Sequence, residues 1–112
     1  MTIRKPTERD VLKACLELLK WKGVFHWRNN SGALKVADRL VRFGQAGSPD
    51  VLALLPGGRL LAIEVKSATG RLRPAQEAWL AEARRHGAAT LVVRSASELQ
   101  AGLVELLKEC RP

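Results

Sequence analysis

From Thr7 to about Lys22, Val11, Leu12, Cys15, Leu16, Leu18 and Leu19 recur at the three-and-four spacing of a helix. Thr7 fits its N-cap and Gly23 its stop. Beyond Gly23 the pattern shortens to strand period. "VFHWR" and "RLVRF" are β-prone pieces separated by the turn-rich "NNSGALKVAD", and "VLALL" and "LLAIEVK" are joined as a hairpin by "PGGR". Helical spacing returns at Pro74, which suits a first turn; Trp79, Leu80 and Ala83 then share a stripe, and Gly87 ends the segment. "AATLVVR" reads as a buried strand, and "SASELQAGLVELLKEC" as an amphipathic helix with a serine cap and a capping-box acid or amide. The predicted order is one helix, a meander of three or four strands, then helix, strand, helix. That is an α/β fold with a central mixed sheet flanked by helices.

One strand breaks its own pattern. In "LLAIEVKSAT", Leu61, Ile63 and Val65 face one way, while Ala62, Glu64 and Lys66 face the other. Burying a carboxylate and an ammonium costs several kcal/mol per ion, roughly, unless a partner compensates. Asp50 opens the preceding strand. If the hairpin loop has three residues, Pro56 to Gly58, Leu55 faces Arg59 and Asp50 falls opposite Glu64; a loop of two or four would bring Val65 there instead. An odd loop or a bulge is therefore expected. Two carboxylates on one face repel, and one lysine offsets this only partly; a hard divalent cation with oxygen ligands resolves the conflict. Mg²⁺, or Mn²⁺ in its place, keeps several waters and commonly sits against phosphates. Lys66 is then placed to orient or polarise a water or a phosphate.

Composition points the same way. The 112 residues are most simply one domain, residues 1–112, and 46% hydrophobic with 27% charged residues excludes a disordered tail. A formal net charge of +8 favours polyanions, nucleic acid first and acidic membrane second. "MTIRKPTERD" has no apolar leader core, and no apolar run would span a bilayer, so a cytoplasmic protein is expected. Cys15 and Cys110 lack zinc-site spacing and read as reduced thiols.

Two further residues are candidates for the cluster. Glu8 lies in register with Val11, Leu12, Cys15 and Leu19, which places it on the inward face of the first helix, and a helix-dipole role is the plainer alternative. Gln76 shares a face with Trp79, Leu80 and Ala83 at the rim of the core, where it could hold a phosphate, a base or the lysine, or merely serve as a helix-surface or N-terminal polar residue.

"GSPD" (47–50), fourteen residues earlier than "EVK" (64–66), resembles the PD-(D/E)xK nuclease motif. Together with the Glu8 helix, the "RNNSG" turn and "QEAWL" (76–80), it resembles the virus-type replication-repair nuclease domain, VRR-NUC, in its short stand-alone form, from about Thr7 to Arg94. The resemblance implies divalent-metal-dependent cleavage of DNA phosphodiesters by a homodimer, like the phage or bacterial Holliday junction resolvases. It implies Asp50 and Glu64 as metal ligands, the Val65 carbonyl as another, Lys66 as the catalytic lysine, Glu8 as the helix acid of a second metal site and Gln76 as the polar residue that follows. Arg28, Asn30, Lys35, Ser48, Arg71 and Arg73 are the expected DNA contacts. Many members carry an acid after the lysine, where this chain reads "SATGRLRPAQ".

Competing readings are a flap-type or less selective nuclease, or a basic DNA-binding module whose acids serve only the fold. His26 and His86 are read as having no local partner, and His86, at a helix end, as structural or solvated. Trp21 and Trp27 read as core or subunit-interface residues before base-stacking ones. Arg84 and Arg85 are phosphate contacts or a solvated helix face.

Overall fold

The computed structural model describes residues 4–30 and 32–110. Ser31, within the "RNNSG" turn, and the first three residues of the chain lie outside that set. Helix α1 (Glu8–Trp21) starts where expected, with the Thr7 hydroxyl accepting from the Asp10 amide and the Asp10 carboxylate accepting from the Thr7 amide. It ends at Lys22, and Gly23 then takes a left-handed φ of 71°. Five strands follow, β1 (Phe25–Arg28), β2 (Gly32–Val36), β3 (Arg39–Phe43), β4 (Val51–Leu54) and β5 (Leu60–Val65). Then come α2 (Pro74–Arg85), β6 (Ala89–Val93) and α3 (Ala96–Glu109). Pro74 does open α2, and Ser95 caps α3 by accepting from the Glu98 amide.

The central sheet runs β1-β4-β5-β6, antiparallel except for the β5–β6 pair. A parallel neighbour requires a crossover, which α2 supplies. On one face Val51, Ala53, Leu61, Ile63, Val65, Ala89 and Val93 pack against Val11, Cys15 and Leu19 of α1 and Leu99 and Leu103 of α3. Each fully buried leucine or isoleucine in this layer contributes about 1.5–3 kcal/mol by removal from water. Leu80 of α2 is buried but lies outside that cluster, because α2 covers the opposite face beside β6. Buried within the first layer, the Cys15 thiol is pushed up to about 11, which leaves it unreactive.

Two expectations fail here. The "NNSGALKVAD" segment is not a connector: it contains β2, which pairs with β3 through a two-residue turn at Ala37–Asp38. That turn holds Ala37 at φ 56° where Asn or Gly is usual, so the strongest hairpin signal is missing from the sequence. Nor is the middle of the chain one meander. β2 and β3 form their own two-stranded sheet, and neither packs substantially on any other helix or strand. Trp21, at 86% exposure, is no core residue, and Trp27 lies half-open on edge strand β1 beside Phe25, their rings meeting edge-on at 6.0 Å.

Candidate metal and phosphodiester site

The β4–β5 hairpin sets the site. Its ladder pairs Val51 with Ile63 and Leu54 with Leu60, and the Leu55 amide closes it by donating to the Arg59 carbonyl at 2.8 Å. The loop is thus Pro56 to Gly58, the three residues expected, and the same register carried one step onward puts Asp50 opposite Glu64. Asp50 is fixed by its Oδ2, which accepts from the Val65 amide at 2.7 Å.

Glu64 is only 1% exposed, and Lys66 4%. Gln76 Nε2 donates to Glu64 Oε1 at 3.2 Å, and Lys66 Nζ stands 4.0 Å from that same oxygen. Glu64 Oε2 is buried with no hydrogen-bond partner. Burial first, then the charge and hydrogen bonding of Asp50, push the Glu64 carboxyl up to about 8; Lys66 opposes this and Glu8 adds to it. A buried, orphaned carboxylate oxygen beside a second carboxylate is the donor set that a hard cation satisfies. The residues present therefore fit a divalent metal.

Gln76 serves two structures at once. As the third residue of α2 its Oε1 accepts from the Arg73 amide at 2.9 Å, so the helix cap and the contact to Glu64 share one side chain. The "GSPD" loop is pressed beneath the same helix end. Gly47 has a φ of 79°, and a Cβ there would collide with the Ala75 carbonyl. Pro49 is buried.

Two residues that the sequence did not single out hold this frame. Asn29 Nδ2 donates to Ser48 Oγ at 2.9 Å and to the Pro49 carbonyl at 3.0 Å, while its amide donates to the Asp50 carbonyl at 2.8 Å. Arg94 grips the turn after the lysine, donating to the Gly70 carbonyl at 2.7 Å and to that of Ser67. The "SATG" turn is therefore a fixed cover that folds back beside the Lys66 stem, where a Cβ on Gly70 would lie 3.5 Å from Lys66 Cδ. Asparagine next to Asn30, and an arginine ending a strand, carry no pattern that marks them in advance.

Glu8 is exposed at the start of α1 and is not part of the core. It still borders a cleft of about 380 Å³ together with Arg9, Leu12, Arg28 and Asp50. Among the described residues no three His, Cys, Asp or Glu side chains gather closely enough to hold a metal ion by themselves. Asp50 and Glu64 form a pair, and Glu8 stands at its edge.

Of the expected DNA contacts, Arg28 borders that first cleft, and Ser48 and Arg73 border a second of about 470 Å³ with Arg42, Gly47 and Gln76. Ser48 is engaged by Asn29, Asn30 and Arg71 are exposed nearby in the chain, and Lys35 projects from the free hairpin. The histidines are peripheral: His26 Nδ1 bonds the Val24 carbonyl, and His86 Nε2 does have a partner, Glu82, at 3.0 Å on an exposed surface. Arg85 pairs with the same glutamate, and Arg84 donates to Thr90 Oγ1, so both are helix-surface residues with internal partners.

Among the described residues no helix is long and apolar enough to cross a membrane. No curated protein matches the chain. The sequence profile of the VRR-NUC domain matches residues 6–97, which include the pair, the lysine, Gln76 and Arg94. The chain belongs to the VRR-NUC family of nuclease domains.

Proposed function

We propose that this single domain is a Mg²⁺- or Mn²⁺-dependent endodeoxyribonuclease that cleaves branched DNA, four-way junctions first, as a homodimer in the cytoplasm of a bacterial cell or phage-infected host. The observation that carries the metal-dependent reading is the buried Glu64 Oε2 without a partner, on a carboxylate beside Asp50 whose other oxygen stands 4.0 Å from Lys66. Asp50, Glu64 and the Val65 carbonyl would hold the ion. When bound, it polarises the scissile phosphate, lowers the pKa of the attacking water and steadies the departing oxygen.

The chain's own groups do the rest. The Val65 amide fixes Asp50, and Gln76 fixes Glu64, so neither carboxylate must reorganise when phosphate arrives. Lys66, sheltered by the Arg94-bound turn, offers ammonium hydrogens to a water or a non-bridging phosphate oxygen. Glu8, at the rim, would serve a second ion. Dimerisation is supported by two features: one carboxylate pair per chain against the two incisions a junction needs, and the uncovered aromatic edge at Trp21 and Phe25 (86% and 68% exposed).

The test is cleavage of labelled four-way junction, flap and linear duplex with Mg²⁺ and with EDTA, using the parent, Asp50→Ala and Lys66→Ala. Metal-dependent paired nicks in the junction, absent in both variants, are expected. Equal cutting of all three substrates would replace the resolvase with a less selective nuclease. Binding without cutting in any divalent metal would leave only a DNA-binding module.

A further inference from the structure

Two clefts flank the carboxylate pair, and each carries arginines. On one side Arg9 of α1 and Arg28 of β1 border the opening that contains Asp50 and Glu8. On the other, Arg42 of β3 and Arg73 at the start of α2 border the opening that contains Ser48 and Gln76, the residue bonded to Glu64. Among the described residues none of these four guanidinium groups is in an ion pair, although Glu8 and Asp50 border the first cleft with Arg9 and Arg28. Arg59, Arg85 and Arg94, by contrast, are bound internally. Along the free hairpin, Ala33, Lys35, Leu40 and Arg42 share one face by register, so Lys35 extends the second cleft's charge outward.

We infer that the scissile DNA strand crosses the molecule from the Arg9/Arg28 cleft, over Asp50 and Glu64, into the Arg42/Arg73 cleft. The phosphates on either side of the cleaved bond are then gripped by different arginine pairs, and the β2–β3 hairpin acts as a DNA arm. The inference rests on the nuclease reading and assigns roles to Arg9 and Arg42, which the motif does not include. It also explains why the hairpin stands free of the core: its basic face borders the strand's route instead of packing on the sheet.

The test is equilibrium binding of four-way junctions to the full chain in EDTA, across a salt series, for the parent and for Arg9→Ala, Arg28→Ala, Arg42→Ala and Arg73→Ala. Each arginine lost should weaken binding about threefold to tenfold at low salt and flatten the log–log salt slope by about one, whatever the sequence. Lys108→Ala, on α3 and bordering neither cleft, should change neither. Junctions with a neutral methylphosphonate on one side of the cut site then assign the sides. Arg9→Ala and Arg28→Ala should be insensitive to neutralisation on one side only, and Arg42→Ala and Arg73→Ala on the other only. Arginine→Lys versions, which keep the charge, should restore the slope and guard against misfolding as the cause. Unchanged slopes, or all four arginines answering to the same side, would overturn the strand path. A parent that binds in this pattern yet never cuts would sink the nuclease reading alone.

Discussion

Strand β5 buries each of its last five side chains, a glutamate among them, whereas every residue of β2 is exposed. The two regions obey opposite rules. Around β5 every charged group is tied to a named partner except one carboxylate oxygen, and the cost of burial is concentrated on that atom. Along the β2–β3 hairpin, charge and apolar surface both face solvent, and a two-stranded ribbon of this kind is marginally stable by itself. In the proposed function, chemistry falls to the buried part of the molecule and substrate capture to the part that stands free of the core.

The contrast is broken most severely at the site. Asp50→Ala or Lys66→Ala should lower cleavage by about a hundredfold to a thousandfold, the scale at which single preorganised electrostatic groups act, while the melting temperature shows a folded protein. Gly47→Ala should come next. A left-handed φ costs about 1–2 kcal/mol for a side-chain-bearing residue, and the collision with Ala75 adds a comparable strain, so thermal unfolding should register a loss of about 3 kcal/mol.

The third prediction concerns pH. Because Glu64 in the folded, metal-free protein titrates near 8 instead of in the ordinary carboxyl range, the native state holds a proton that the unfolded chain releases at lower pH. Stability from this group is therefore full below the unfolded pKa and is lost as pH rises through about 8. Metal-free melting temperature should fall between pH 5 and pH 9, beyond what Glu64→Gln shows over the same range. Mg²⁺ should raise the parent's melting temperature most at the alkaline end and leave Glu64→Gln almost unmoved. A flat profile in the parent would remove the buried-carboxylate account.

The smallest effect belongs to the hairpin. Leu34→Ser and Val41→Ser, paired on its apolar side, should shift stability by no more than about 0.5 kcal/mol, as exposed sites do, and urea denaturation would show it. A large loss would mean that the ribbon is part of the folding unit after all.

The helices, the sheet's four strands and the facing of Asp50 and Glu64 were legible because each follows from period: 3.6 for α1, α2 and α3, and two for β4 and β5. Gln76 was legible as a rim residue by the same counting. What sequence concealed has no period. Glu8 obeys the α1 stripe yet lies outside the core, since periodicity fixes a helix face but not how deeply each of its residues is buried. β2 hid behind a turn made with alanine at positive φ. Asn29 and Arg94 act through long-range hydrogen bonds, chiefly to main-chain carbonyls, and nothing along the chain marks which partner will lie opposite.

Asn29 joins the end of β1 to the "GSPD" loop across 19 residues, closing the whole hairpin excursion at its base. A chain knotted off in this way could lengthen, shorten or exchange the excursion while the geometry beyond the clasp stays put. Selection for new substrate shapes and selection for intact hydrolysis would then act on separate stretches of the gene, and one amide side chain marks the border between them.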